Sequence, residues 1–122
     1  MGKSDCFDEL LQWANLDRVS LQASFTQSNV EVLRETVSLL GSDQEKQVKI
    51  TKSNFVELIG IMKQRYVEGS RALGGAIIAA SELHDDGKVN EAVEVYREFL
   101  RNCPSEFYKK IAEYQIRKLT KD

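Results

Sequence analysis

The stretch His84–Pro104, HDDGKVNEAVEVYREFLRNCP, decides how the rest of this chain is read. Asp85, Asp86, Gly87 and Lys88 make a turn between two helical patterns, with Gly87 in the backbone conformation that other residues resist. Beyond it Ala92, Val93, Tyr96, Phe99 and Leu100 recur at the spacing of one helix face and are predicted core; Pro104 ends that helix. On the other side, Phe55, Leu58, Ile59, Met62 and Tyr66 form a stripe that Gly69, Leu73, Ala76, Ile77, Ala80 and Leu83 continue in phase. Glycine costs ~1 kcal/mol inside a helix, yet the phase survives several of them. The expectation is one long helix, bent at Gly69–Ser70, whose small inner residues let another helix come close.

Working outward, Ser105 is the predicted cap of a last helix that turns Phe107, Tyr108, Ile111, Ala112 and Leu119 inward. At the other end a first helix is expected from Ser4 as cap, with Asp5, Asp8 and Glu9 in its positive first turn. Its apolar face is Phe7, Leu10, Leu11 and Ala14, with Trp13 at the edge. A second helix begins near Ser28 and carries Val30, Leu33, Val37 and Leu40, widened by Val32 and Leu39; Gly41 is its left-handed stop. The segment GSDQEKQ after it is polar and is predicted to be a disordered loop. Val19, Leu21 and Ala23 alternate with polar residues, as do Val48 and Ile50, so a short two-stranded bridge is an optional addition. The predicted fold class is therefore all-α: a compact bundle of about five helices in a single domain over residues 1–122, with a bent long third helix and a C-terminal helical hairpin.

Gly87, Ala92, Tyr96 and Pro104 have the spacing of the turn glycine, small residue, aromatic and final proline of a tetratricopeptide repeat. Ala76, Ala79 and Ala80 stand where that repeat prefers Trp, Leu and Gly, so the resemblance holds in the second helix and fails in the first. No second copy follows, and solenoids need about three. A wider stretch, Arg65 to Leu119, resembles the C-terminal half of the DUSAM domain, a family abundant in myxobacteria with no assigned activity. The similar features are Glu68-Gly69-Ser70-Arg71 with Leu73, the Asp86-Gly87 turn, Phe107-Tyr108, Ile111-Ala112-Glu113 and Leu119. The resemblance implies an all-helical bacterial domain and no catalytic residues to carry over.

Composition narrows the chemistry. Formal net charge is −2, so nothing pulls the chain globally towards nucleic acid or anionic membrane. The longest apolar run, Ala72 to Ser81, is about half the ~20 residues a membrane span needs. Acidic residues stand where a secretory signal would be apolar, and a cytoplasmic protein is expected. Cys6 and Cys103 sit beside apolar neighbours and are read as buried, reduced thiols. The MGKSDC start departs from a myristoylation signal, because Cys6 replaces the required Ser or Thr. His84 is the single histidine; adjacent His84, Asp85 and Asp86 point in different directions, so helix capping is the expected role rather than metal or acid–base work. GSRALGG lacks both a preceding strand and the spacing of a phosphate loop, and NLDRVSLQAS lacks the alternating carboxylates of a calcium loop.

No catalytic, cofactor-binding or metal-ligating residues are predicted. The one charge cluster is on the last helix, where Lys109, Lys110, Arg117 and Lys118 (with Lys121) are the predicted partner surface, offset by Glu106, Glu113 and Asp122. The expected function is a non-enzymatic interaction or regulatory module presenting a helical groove to a protein partner. Two alternatives stand beside it. One is a small enzyme or ligand-binding bundle with a pocket at Trp13, Tyr66 and Tyr96; the other is a nucleic-acid accessory protein using the basic helix, although no nucleic-acid partner is expected.

Overall fold

Seven helices account for the regular structure in the computed structural model, which describes the backbone of residues 4–121 and the side chains of residues 6–121. They are α1 (Ser4–Ala14), α2 (Arg18–Ala23), α3 (Gln27–Leu40), α4 (Asp43–Lys46), α5 (Phe55–Asp85), α6 (Val89–Asn102) and α7 (Glu106–Thr120). No strand occurs among the described residues, so the all-α class holds and the helix count rises from five to seven. The chain divides into two compact units, Met1–Tyr66 and Val67–Asp122, with the boundary inside α5.

In the first unit α1 packs on α3. The shared core is Cys6, Phe7, Leu10 and Trp13 from α1 and Leu33, Val37 and Leu40 from α3, all buried; Phe55, Leu58, Ile59 and Met62 from the start of α5 join it. Aromatic edges knit the centre: Trp13 and Phe25 approach Phe55 at 5.9 and 5.4 Å between ring centroids, and Phe7 approaches Tyr66 at 5.3 Å. Such tilted and edge-on pairs are the arrangements that aromatic quadrupoles favour. Thr36, fully buried, satisfies its hydroxyl by donating to the Val32 carbonyl at 3.0 Å. The expected cap at Ser4 lies outside the described side chains.

Three local expectations are corrected here, all in short segments. The first is the two-stranded bridge. Residues 19–23 lie in α2, started by Asp17, whose carboxylate accepts the Ser20 N–H at 2.7 Å. Over six residues, alternation and helical periodicity place a single apolar side chain inward equally well; only Leu21 is buried, while Val19 is 76% exposed. Val48 and Ile50 are thereby left without a ladder partner and form an irregular connection. The second is the loop after α3, which contains α4: Ser42 and Glu45 close a reciprocal capping box, at 3.3 Å from the Glu45 N–H to Ser42 Oγ and 2.9 Å from the Ser42 N–H to Glu45 Oε1. Glu45 also accepts two hydrogen bonds from the Arg65 guanidinium at 3.1 and 2.9 Å, tying this short helix to α5. The third is Gly41, whose φ of −78° and ψ of 159° are extended and not left-handed.

The long helix is as expected unbroken from Phe55 to Asp85. Thr51 and Asn54 set its start by exchanging bonds, the Thr51 N–H donating to Asn54 Oδ1 at 2.8 Å and the Asn54 N–H to Thr51 Oγ1 at 3.3 Å. Its end is a Schellman turn: the Gly87 N–H donates to the His84 carbonyl at 2.9 Å and the Lys88 N–H to the Leu83 carbonyl at 2.8 Å. Gly87 has φ +78°, the one positive value among the described residues, as its place in the turn predicts.

In the second unit α6 and α7 pack on one another. Ala92, Val93, Tyr96 and Phe99 of α6 and Tyr108 and Ala112 of α7 are buried, with Leu73, Ala76 and Ala80 of α5. Leu100, Phe107, Ile111 and Leu119 are half-buried. The close approach anticipated at the small residues occurs at Gly69. A Cβ there would lie 2.2 Å from the Tyr108 ring, so the bare backbone of α5 is what admits that ring. Tyr108 is fixed by a hydrogen bond of 2.8 Å between its hydroxyl and Ser70 Oγ.

Candidate functional site

The second unit carries a cleft of about 310 Å³. Its floor is aliphatic: Ile77 and Ala80 from α5 and Leu119 from the last turn of α7. Alanine at position 80, 1% exposed, keeps that floor low where a larger side chain would fill it. Ser81 and His84 follow Ile77 at intervals of four and seven, placing them on the same side of α5; on α7, Gln115 stands four residues before Leu119, and Lys118 three after Gln115. Tyr96 of α6 forms the wall between them.

Every polar side chain among the described lining residues can donate a hydrogen bond, and none of them is a carboxylate. His84 is the basic residue in the last turn of α5, where a helix C-terminus favours it, and it also lines the cleft. Lys118 forms no ion pair among the described residues; its ammonium stands 5.7 Å from the centroid of the Tyr114 ring, in cation–π range. Tyr96 is only 3% exposed, and its hydroxyl bonds to no described residue. Since no sealed polar side-chain atom among the described residues lacks a partner, the Tyr96 hydroxyl keeps a little contact with solvent, and the residue lines the cleft. Burial pushes the phenol up from its usual range, so the group is a neutral donor at physiological pH.

The predicted basic surface does not come together as one patch. At about 100° per residue, Lys118 lies on the opposite side of α7 from Lys109. Lys109 is half-buried and faces Glu106 at 3.8 Å. Lys110 and Arg117 are exposed and share their strip with Glu106 and Glu113. Lys118 alone of the four reaches the cleft. Of the aromatic trio, Trp13 is buried against Phe55 and Tyr66 is half-buried beside Phe7, both in the first unit; Tyr96 belongs to the second.

Two further depressions are weaker candidates. One, of about 120 Å³ between Arg34, Ser38, Lys46 and Ile50, is well below the ~300–1,000 Å³ of ligand pockets. The other, of about 420 Å³, is a shallow and widely open depression on α6 lined by Glu91, Glu94, Val95 and Glu98, two of whose carboxylates, Glu94 and Glu98, already pair with Arg101. No group of three or more His, Cys, Asp or Glu side chains converges as a metal site among the described residues, and no described helix is long and apolar enough to cross a membrane. Cys6 is buried and Cys103 half-buried, and neither forms a disulfide. Burial, helped by the charge of Glu35, pushes the Cys6 thiol up, and a hydrogen bond with Thr36 opposes the shift only in part. No protein-family model, curated protein or solved structure matches the chain significantly.

Proposed function

We propose that this chain is a non-enzymatic interaction module whose second unit receives a segment of a partner protein in the cleft between the ends of α5 and α7. The observation that carries the reading is the cleft itself: an aliphatic floor of Ile77, Ala80 and Leu119, open at the surface and rimmed by polar side chains. That is the layout by which a helical groove accepts the side chains of an incoming peptide. Exposed Ile78 and Tyr114, at 64% and 53%, extend apolar surface on the same two helices. A bacterial, cytoplasmic adaptor related to the DUSAM domain is the setting this reading favours. Nucleic acid has no place in it, since the chain is net negative and acidic residues interrupt the basic strip of α7.

Selection of a random peptide library against the intact chain tests the proposal. Peptides are expected that bind at micromolar affinity and lose binding on Ile77→Asp, with Glu94→Ala as the control outside the cleft. A selection that enriches nothing, or peptides indifferent to Ile77→Asp in a variant that still melts cooperatively, would overturn it.

A further inference from the structure

The Tyr96 hydroxyl is the least explained polar group in the second unit. Its ring is 97% buried and fills the wedge that phenylalanine would fill equally well, yet the chain places an oxygen there and gives it no described partner. Solvent is the partner left to it among the described groups, and because the residue lines the cleft, an acceptor bound there takes the place of that water. Lys118 also lines the cleft, without an ion pair among the described residues, and Gln115 offers a further donor. Five side chains that can donate, Ser81, His84, Tyr96, Gln115 and charged Lys118, stand around an aliphatic floor and favour an acceptor that is itself negative.

We infer that the cleft recognises an acidic side chain, Asp or Glu, set next to an aliphatic side chain in a peptide segment of a partner protein, with the carboxylate against Tyr96 and Lys118 and the aliphatic group on Ile77, Ala80 and Leu119. This deepens the interaction-module reading and rests on it. The volume suits it: about 310 Å³ is the lower end of the ligand-pocket range, room for a pair of side chains. The charge suits it too, because the cleft has a cationic rim and no carboxylate among its described lining residues. A hydrogen bond to a charged acceptor is worth more than a neutral one, and in a site partly screened from water it decides between Glu and Gln.

The test uses the peptides selected above on the intact chain. The inference expects Asp or Glu beside Leu, Ile, Val or Met to dominate the enriched sequences. A synthetic peptide of that consensus, followed by fluorescence anisotropy, should bind about tenfold more weakly to Tyr96→Phe and to Lys118→Gln, and as weakly to wild type when its acid is replaced by the amide. Tyr96→Phe keeps the buried ring and deletes only the unbonded oxygen, so an unchanged melting temperature separates lost recognition from lost fold. Enriched peptides without an acidic residue, or acidic ones that bind Tyr96→Phe as tightly as wild type, would overturn the inference and leave the interaction module standing. Failure to enrich any peptide would remove both. If a short branched carboxylate such as isovalerate shifts the Ile77 and Leu119 methyl resonances as strongly as the peptide at equal concentration, the ligand is a small acid and the peptide assignment is wrong.

Discussion

Replacing Gly69 by alanine sets two well-calibrated effects against each other in one residue. Alanine is the better helix former by about 1 kcal/mol, and α5 is continuous through this position. The added methyl, however, would sit 2.2, 2.5 and 2.9 Å from three atoms of the Tyr108 ring. Ordinary carbon contacts lie at about 3.5–4.0 Å, so the ring must retreat by more than ~1 Å. It is poorly able to: Tyr108 is 3% exposed and its hydroxyl is bonded to Ser70. Overpacking of this kind costs about 1–3 kcal/mol, and stretching the Ser70 bond adds about 0.5–1.5 kcal/mol. Set against the propensity gain, Gly69→Ala should destabilise by roughly 1–3 kcal/mol. Gly74 and Gly75, on the same helix, have nothing within 4 Å of a built Cβ, so alanine there should stabilise by about 0.5–1 kcal/mol each. Urea unfolding of the three variants, with slopes compared, measures all of this. Shrinking the ring in Gly69→Ala/Tyr108→Leu should recover part of the loss. A Gly69→Ala protein as stable as Gly75→Ala would show that the α5–α7 contact is not formed as described.

Tyr96→Ala should cost about 3–5 kcal/mol in urea melts, the usual cost of emptying an aromatic core site, whereas Tyr96→Phe should be close to neutral. Because burial raises the Tyr96 pKa in the folded state, its contribution is complete below the unfolded value near 10 and is lost as pH rises through the folded one. Wild type should therefore lose stability above about pH 10 more steeply than Tyr96→Phe, as thermal melts across the alkaline range would show. Arg65→Ala, which breaks a two-pronged, partly buried pair with Glu45, should cost about 1–2 kcal/mol by urea titration; Arg65→Lys should recover less than half, lacking the fork. Near neutral pH a thiol reagent should modify half-buried Cys103 well before buried Cys6, and equal rates in the native protein would contradict the packing of α1.

What the sequence made legible follows from pattern length. The α5 stripe and the α6 face each repeat over several turns, and the Gly87 turn between them left little room for another arrangement. Phe107, Tyr108, Ile111 and Ala112 likewise marked the inner side of α7, and Gly69 announced a close approach without saying that Tyr108 would make it. The shorter segments were decided by single hydrogen bonds that periodicity does not register. Asp17 turned an alternating hexamer into α2, and Glu45 turned a polar loop into α4. The cleft was hidden for a different reason. Tyr96 read correctly as core, but nothing in a one-dimensional pattern tells whether a buried phenol finds an acceptor. Lys118 was grouped with Lys109, Lys110 and Arg117 by nearness along the chain, although half a helical circumference separates it from Lys109. His84 stands at a helix end by its place in the sequence, but only the packing of α5, α6 and α7 makes it a cleft residue as well.

The Glu45 carboxylate gives the first unit a built-in latch. A helix of four residues has no stability of its own in water. α4 persists because one side chain closes its first turn at Ser42 and at the same time grips Arg65 on α5. The amide protons of Lys46, Gln47 and Val48, which bond to carbonyls within that turn, thus register an event taking place some twenty positions further along the chain. Weakening the grip from the Arg65 side would let those protons exchange with solvent while the interior of α5 keeps its protection, a local opening well short of global unfolding. The stretch between α3 and α5 would then pass back and forth between anchored helix and free linker, and the side chain that times this passage belongs to neither end of it.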